Sequence, residues 1–502
     1  MTFQHLLDGA EVLSQSGNPD IAAVEYDSRQ VKPGCLFVAM RGETSDGNRF
    51  IDRAIQSGAV AVVTDSTTEN PRPQVAWAVV PHGRRALARL SANFYKRPAE
   101  HIAVTGITGT NGKSTTAFLI ESILTASLRK SALIGTIEYH VAGQILPAPH
   151  TTPEALELNR ILSTAIGRGA TDVVMEVSSH ALAQERVYGV PFDVAVFTNL
   201  TRDHLDYHKN MDEYFAAKRA LFEGCGTDAP RAAATNLDDE YGAKLASFSR
   251  KRSPIVLTYG WERGDFHASH VAISPRGTRF DLITPEEKIP VFSPLIGRVN
   301  VYNILAAAAA CHARGCASTA IACGIERLKH VPGRFQRVDC GQPFTVVVDY
   351  AHTDDALRNL TELAREFVSR GGVNSRVLTL FGCGGDRDRA KRPLMGEAAG
   401  RGSDFVVLTS DNPRSEDPRA IINDALVGLQ RTSVKYSVEV DRRKAIALAI
   451  GDAMPGDIVL LAGKGHEKVQ VTREGSHPFD DVEVAREALR AAGFECANAS
   501  AS

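Results

Sequence analysis

Several things are missing from this chain of 502 residues, and each absence removes a class of protein. Its eight cysteines, at 35, 225, 311, 316, 323, 340, 383 and 496, form no CxxC pair. Thiols this sparse in a chain this long are not a disulfide framework or a zinc module. Cys311, Cys316 and Cys323 sit in an Ala-rich stretch and read as small buried apolar residues, which suits a reducing compartment. No apolar run approaches the ~20 residues that cross a bilayer, so membrane insertion is not expected. The first residues, MTFQHLLDGAEVLSQSG, lack both a basic start and a sustained apolar run, the marks of an export signal. A cytoplasmic location is therefore the expectation. A basic excess is also absent: the net charge is −2, so no global field points to nucleic acid. An anionic small substrate would need local basic sites. There is no fixed-period repeat and no low-complexity linker.

What is present reads as a soluble α/β protein of three domains. The chain is 43% hydrophobic and 23% charged, ordinary for a globular protein, and too long for one core. Residues 1–95 alternate short apolar runs (CLFVAM, AVAVVTD, AWAVV) with turns, as a small α/β domain does. The pattern restarts at HIAVTG. Across residues 96–334 strands such as DVVMEV and DVAVFTN alternate with helical segments, the signature of a parallel sheet. It restarts again for residues 335–502, where FTVVVDY, RVLTLFG, DFVVLTS and DIVLLAG suggest a doubly wound, Rossmann-like sheet.

The sharpest motif is GITGTNGKS at 106–114, a GxxxxGK[ST] loop between the strand HIAVT and the helix TTAFLIESIL. Its glycines let backbone N–H groups turn inward on phosphate. Lys113 would reach the outer phosphates and Ser114 would face Mg²⁺. Gly109, Thr110, Asn111, Gly112 and Thr115 complete the expected nucleotide loop. With no NKxD tetrapeptide for guanine, ATP is favoured. Two further strands end in polar residues where ligands collect in parallel sheets: MEVSSH, with Glu176, and FTNLTRDHLD, with His204. A carboxylate and an imidazole there could hold Mg²⁺ beside the phosphates.

These motifs, with YFAAKRALF, GRVNVYN, VPGRF, DYAHTDDAL, FGCGGDRDRAKRPLM, DNPRSEDP and LAGKGHE in this order, resemble the motif set of the Mur ligases. The resemblance runs from Asp27 to Glu467. It is nearest to the branch that adds meso-diaminopimelate to UDP-N-acetylmuramoyl-L-alanyl-D-glutamate for peptidoglycan synthesis. It implies an ATP-dependent amide synthesis through an acyl phosphate, with Lys113, Glu176, His204 and Lys218 as catalytic residues. Ser114, Glu176 and His204 are implied for Mg²⁺, and Lys218 as a carbamate. That modification would turn a cation, repelled by Mg²⁺, into an anionic oxygen ligand; without the family, Lys218 reads as a surface lysine paired with Glu213 or Glu223. Asn303, Arg334 and Asp349 are implied around the nucleotide, with His352 near the same junction. Asp354 departs from the proline common in the family.

The same resemblance places the uridine at Tyr26, Ser28, Glu43, Thr44 and Ser45. It places the sugar and its dipeptide at Thr151, Thr152, Ser178, Gln184 and Arg186. For the amino acid it implies Arg387, Asp411, Asn412, Pro413, Arg414, Gly463 and Glu467. Diaminopimelate is lysine with a second carboxylate. Arg414 offers that carboxylate a planar fork, while Asp411, Asn412 and Glu467 can accept from the adjacent ammonium. A lysine acceptor would leave the guanidinium unpaired. Folylpolyglutamate synthetase, the rival ligase, gives no reason for DNPR or for the N-terminal domain. A nucleotide switch without ligase chemistry leaves Glu176, His204 and Lys218 unexplained. A monomer is expected.

Overall fold

The structure is a computed structural model and describes every residue except 43–44, 68–71, 142, 275, 372–374 and 497–502. The apolar runs become strands that gather into one sheet per domain. In the first, Ala76–Val79, Ala61–Thr64 and Cys35–Ala39 lie parallel and side by side. All residues of the last two strands are buried. Both faces are covered, so these strands are apolar throughout rather than alternating. Helix Gly83–Phe94 closes one face with Ala86, Leu87 and Leu90.

The middle sheet has eleven strands. Ala103–Thr108 lies between Val194–Phe197 and Asp172–Glu176, parallel to both. The register sets Ile107 beside Glu176 and Thr108 beside Phe197, so three polar strand ends open on one spot. Antiparallel hairpins extend both edges: 138–147 on one side and 266–293 on the other. The third sheet contains the four strands expected from sequence, in the order Thr345–Asp349, Ile458–Ala462, Val377–Phe381, Phe405–Leu408. Two strands not anticipated border it, Gln336–Val338 and Lys435–Val438. Both are short and partly exposed, so they carry no apolar run to read.

Helix Lys113–Ala126 follows the phosphate loop and is buried along most of its length. It packs on helices Arg298–Ala313 and Ser318–Arg327. In the first, Ala306 to Ala310 are all buried, since small side chains let the helix sit close. In the second, Gly324 allows closest approach: a Cβ there would lie 2.4 Å from Ile123 Cα. Ser122 Oγ donates to the Gly324 carbonyl at 2.7 Å across the same contact.

The cysteine reading needs correction in two places. Cys311 and Cys316 are buried as expected, but Cys323 is only half-buried. Cys340 and Cys496, 156 residues apart in sequence, form a disulfide. No spacing announces a single cross-link of that span. Among the described residues no helix is long and apolar enough to cross a membrane.

Gly324→Ala should force the helices at 113–126 and 318–327 apart. The expected loss is about 1–3 kcal/mol of unfolding free energy, read by chemical denaturation; unchanged stability would show that the contact is not rigid.

Candidate active site

The phosphate loop is fastened before any ligand is considered. Gly109 and Gly112 adopt φ values of +147° and +88°. A Cβ at Gly109 would lie 1.8 Å from Thr198 Oγ1, and one at Gly112 2.4 Å from Asn303 Oδ1. Only glycine fits at either point. The loop is clasped to the neighbouring strand end: Thr110 N donates to Asn199 O at 2.8 Å and Asn111 N to Asn199 Oδ1 at 2.9 Å. Thr198 Oγ1 and Asn199 Nδ2 both donate to Asn111 O, at 2.7 and 3.1 Å. Lys113 Nζ folds back on the carbonyls of Gly109 (2.9 Å) and Thr110 (2.8 Å). Ser114 and Thr115 are buried at the start of the helix.

Glu176 is buried at its strand end. Its two oxygens accept from Thr136 N (2.8 Å) and Thr136 Oγ1 (2.9 Å). Thr151 Oγ1 lies 3.1 Å from the same hydroxyl. Thr152 Oγ1 donates to Glu176 O at 2.8 Å and accepts from Ser178 N at 3.1 Å. Ser178 in turn caps helix Ser179–Ala183. Arg186 donates to Thr152 O (2.9 Å) and to Gln184 Oε1 (2.7 Å), and pairs with Glu154 (2.9 Å).

His204 sits with φ +54°, and burial, helped by His180 and Lys218, pushes its pKa down to about 3. The ring is neutral and able to ligate a cation. Lys218 is not the surface ion pair that its helical setting suggested. Its neighbour Arg219 pairs with Glu223, and Glu213 pairs with Lys209. Lys218 itself is buried, donates to Gly109 O at 2.8 Å and lies 4.5 Å from the Tyr214 ring centroid. Burial, with the Lys113 charge added, holds its pKa well below the usual lysine value. Lys113 is lowered for the same first reason, against the opposing pull of Glu176.

The third domain meets this site at Asp203, the residue before His204. Asp203 is buried between His204 Nε2 (3.5 Å), His352 Nε2 (3.7 Å) and Lys391 Nζ (3.3 Å). Burial opposes its ionisation, but these groups hold it well below the usual carboxylate range. Asn111 Nδ2 also donates to Asp355 at 3.1 Å, and Arg334 Nη2 to Ser114 Oγ at 3.4 Å. Asp349 is fixed by the backbone N–H groups of Phe335 and Ala351, and burial raises its pKa.

A cavity of about 760 Å³ brings many of these groups together. It is lined by loop residues 110–115, by Glu176 and His204, and by Asn303, Arg334 and Asp349. Thr151, Thr152, Ser178, Gln184 and Arg186 line it too, and Arg387 reaches its wall. The remaining amino-acid residues form a separate cluster at the carboxyl ends of three adjacent strands in the third sheet. Arg414 and Arg387 converge over Gly384, where a Cβ would lie 3.1 Å from Arg414 Nη1 and 3.7 Å from Arg387 Cγ. Among the described residues neither makes an ion pair; Arg414 donates to Gly385 O at 2.7 Å and Arg387 to Asp386 O at 3.0 Å. Burial and Arg387 lower the Arg414 pKa. Gly385 N donates to Asn412 O at 2.9 Å, and Pro413 O accepts from Glu416 N at 3.0 Å. Asn412 Nδ2 donates to Glu467 Oε2 at 2.7 Å, and a Cβ on Gly463 would face Asp411 Oδ2 at 3.5 Å.

The expected uridine residues stand apart from the cavity. Ser28 is buried, Tyr26 donates to Glu157 at 3.2 Å, and Ser45 O accepts from Gly42 N at 2.9 Å. Glu43 and Thr44 lie outside the described residues. Three contributors escaped the sequence reading: Thr136, Lys391 and Lys464. The two lysines stand inside motifs quoted above, but only three-dimensional structure supplies their partners. Thr136 has no signal in the sequence.

Three stretches of the chain match descriptions of one family. Residues 20–95 match the "Mur ligase family, catalytic domain", 107–311 the "Mur ligase middle domain" and 333–465 the "Mur ligase, glutamate ligase domain". The chain belongs to the Mur ligase family, whose members are enzymes. A relative from Solibacter usitatus (strain Ellin6076), named UDP-N-acetylmuramoyl-L-alanyl-D-glutamate--2,6-diaminopimelate ligase, is 55% identical, covering 95% of this chain and 94% of its own. One of the same name from Geobacillus thermodenitrificans (strain NG80-2) is 45% identical, covering 95% and 96%. A solved structure titled with that name is 34% identical, covers 98% of this chain and 99% of its own, and superposes with a TM-score of 0.67.

A lysine whose pKa is lowered by burial opposes folding, because between the folded and the ordinary pKa the unfolded chain binds a proton that the folded chain does not. The cost is full below the depressed pKa and vanishes above lysine's ordinary value. Lys218→Met should therefore raise stability at neutral pH by about 1–3 kcal/mol in metal-free, CO₂-depleted buffer, with the gain shrinking towards pH 10. A variant no more stable than the parent at pH 7 would contradict the lowered pKa of Lys218.

Proposed function

We propose that this chain is the ATP-dependent ligase that joins meso-2,6-diaminopimelate to UDP-N-acetylmuramoyl-L-alanyl-D-glutamate, making the tripeptide precursor of peptidoglycan. The observation that carries the acceptor is the pair of arginines, Arg387 and Arg414, whose side chains both approach Gly384 and which form no ion pair among the described residues. Two neighbouring cations without ion-pair partners suit anions, and diaminopimelate brings two carboxylates. The relatives that match nearly the whole chain carry the corresponding name.

The chemistry follows from charge. A carboxylate of the dipeptide is a poor electrophile. Its oxygen attacks the γ-phosphorus of ATP, ADP leaves, and an acyl phosphate results. The amine then attacks the acyl carbon, and the tetrahedral intermediate expels phosphate as the amide forms and the amine loses its proton. Loop N–H groups and Lys113 stabilise charge on the transferring phosphoryl group, once Lys113 swings from the carbonyls it now holds. Asn303, Arg334 and Asp349 receive the nucleotide. Thr151, Thr152, Ser178, Gln184 and Arg186 orient the sugar dipeptide, whose uridine is taken by Tyr26, Ser28, Glu43, Thr44 and Ser45.

Oxygen donors and a neutral imidazole around the loop suit Mg²⁺, so Ser114, Glu176, His204 and Lys218 as a carbamate are the residues that would hold it. When bound, Mg²⁺ neutralises phosphate charge. The neutral amine of Lys218 is the form that adds CO₂, and its buried setting favours that form. A cytoplasmic monomer fits this chemistry, since its substrates are small and soluble.

ADP release with UDP-N-acetylmuramoyl-L-alanyl-D-glutamate tests the reading directly: meso-diaminopimelate should stimulate it and L-lysine should not. Lys113→Ala should abolish turnover while the protein stays folded by circular dichroism; near-normal turnover would remove Lys113 from the mechanism. Arg414→Ala should cost the acceptor roughly 2–5 kcal/mol, seen as a large rise in KM for diaminopimelate, with little change for ATP or the UDP-dipeptide. An equal loss for all three substrates would make Arg414 structural. L-lysine should remain poor, because deleting a repulsion does not build a lysine pocket.

A further inference from the structure

Lys464, in the motif LAGKGHE, is fully buried, yet no role for it follows from the ligase chemistry above. Its ammonium sits at the centre of the amino-acid cluster. It lies 3.4 Å from Asp411 Oδ1, 3.0 Å from Asn412 Oδ1 and 3.1 Å from Glu467 Oε2. Three N–H donors thus meet three acceptors. The acceptors are also tied to one another and to the chain: Asn412 Nδ2 donates to Glu467 Oε2 at 2.7 Å, and Asn412 Oδ1 accepts from Val471 N at 2.9 Å. Gln470 Nε2 donates to Asp411 O at 2.7 Å. The second oxygens, Asp411 Oδ2 and Glu467 Oε1, receive no hydrogen bond among the described residues, and the first faces Gly463. Beneath the cluster, Arg442 and Asp481 form a fully buried pair at 2.6 Å that adds no net charge.

Two carboxylates this close repel, and a buried charge is costly unless it is paired. One lysine between them lowers the formal charge of the cluster from two negative charges to one. We propose that Lys464 is the resident counter-cation of the amino-acid pocket: it aims the free oxygens of Asp411 and Glu467 and leaves them one net negative charge, so that the pocket takes a single ammonium. Lys464 is a positioning and specificity residue that acts through Asp411, Asn412 and Glu467. The opposite end of the pocket, Arg387 and Arg414, takes carboxylate. The pocket is therefore matched to a zwitterionic end group, one ammonium beside one carboxylate, and not to an ammonium alone. The assignment rests on the functional reading above, since it takes diaminopimelate as the acceptor.

The test uses the full-length enzyme with ATP, Mg²⁺, the UDP-dipeptide and meso-diaminopimelate. Lys464→Met should raise KM for diaminopimelate roughly tenfold or more, while KM for ATP and for the UDP-dipeptide stay within about threefold. Acyl phosphate trapped by hydroxylamine without amino acid should still form, which shows that the variant is folded and competent in the first half-reaction. Adding Glu467→Gln to Lys464→Met returns the cluster to one negative charge and should recover part of the affinity for diaminopimelate; filling a hole left by lysine would not. An unchanged KM for diaminopimelate, a parallel rise for all three substrates, or a double variant no better than Lys464→Met overturns the proposal. If the parent turns over diaminopimelate and Arg414→Ala raises its KM while Lys464→Met does not, this inference alone falls. If the parent shows no diaminopimelate-dependent ADP release, the functional reading falls and takes the inference with it.

Discussion

The clasp between the phosphate loop and the strand end at 198–201 sets the position of every other group in the site. Four hydrogen bonds from Thr110, Asn111, Thr198 and Asn199 hold the loop against its neighbour. Gly109 makes the approach possible by having no side chain to collide with Thr198. The consequences run outward. The same strand end continues to Asp203 and His204. Lys218 reaches the loop through Gly109 O, and Glu176 lies one strand away in fixed register. A shift of the loop would move all of these together, and each of the four clasp bonds has a loop backbone atom at one end.

Around that clasp the molecule keeps several charged residues out of water. Lys218 and Lys464 are both buried lysines, but their settings differ in kind. Lys464 has two carboxylates within 3.4 Å. Lys218 has only a carbonyl and an aromatic face, with Lys113 as a nearby like charge. The first setting surrounds the nitrogen with acceptors, and the second disfavours its charged form. Two side chains of one type are thereby given opposite chemistry by their neighbours.

Much of this was legible in the sequence, and the reasons are physical. The phosphate loop could be read because a strand, a glycine turn and a helix start occur in one short segment. The parallel strands could be read because burial on both faces leaves uninterrupted apolar runs. DNPR could be read as an acceptor pocket only through the family resemblance; by itself it reads as an Asx-Pro turn. The short edge strands at 336–338 and 435–438 could not, being half-exposed and without period. Long-range partners were invisible for the same reason: nothing local says that Lys391 meets Asp203, 188 residues away, or that Lys464 meets Asp411. Lys218 looked like a surface residue because its helix is amphipathic by sequence and its burial depends on the loop that packs over it. The disulfide between Cys340 and Cys496 falls in the same class.

Asp203 belongs to the middle domain but answers to the third. Its carboxylate is shared by His204 on one side and by His352 and Lys391 on the other. One anion therefore serves both as a contact between two domains and as the electrostatic neighbour of the His204 imidazole. Any swing of the third domain that withdraws Lys391 and His352 also changes the field at His204. The interface between the two domains and the field at the His204 imidazole therefore share one carboxylate.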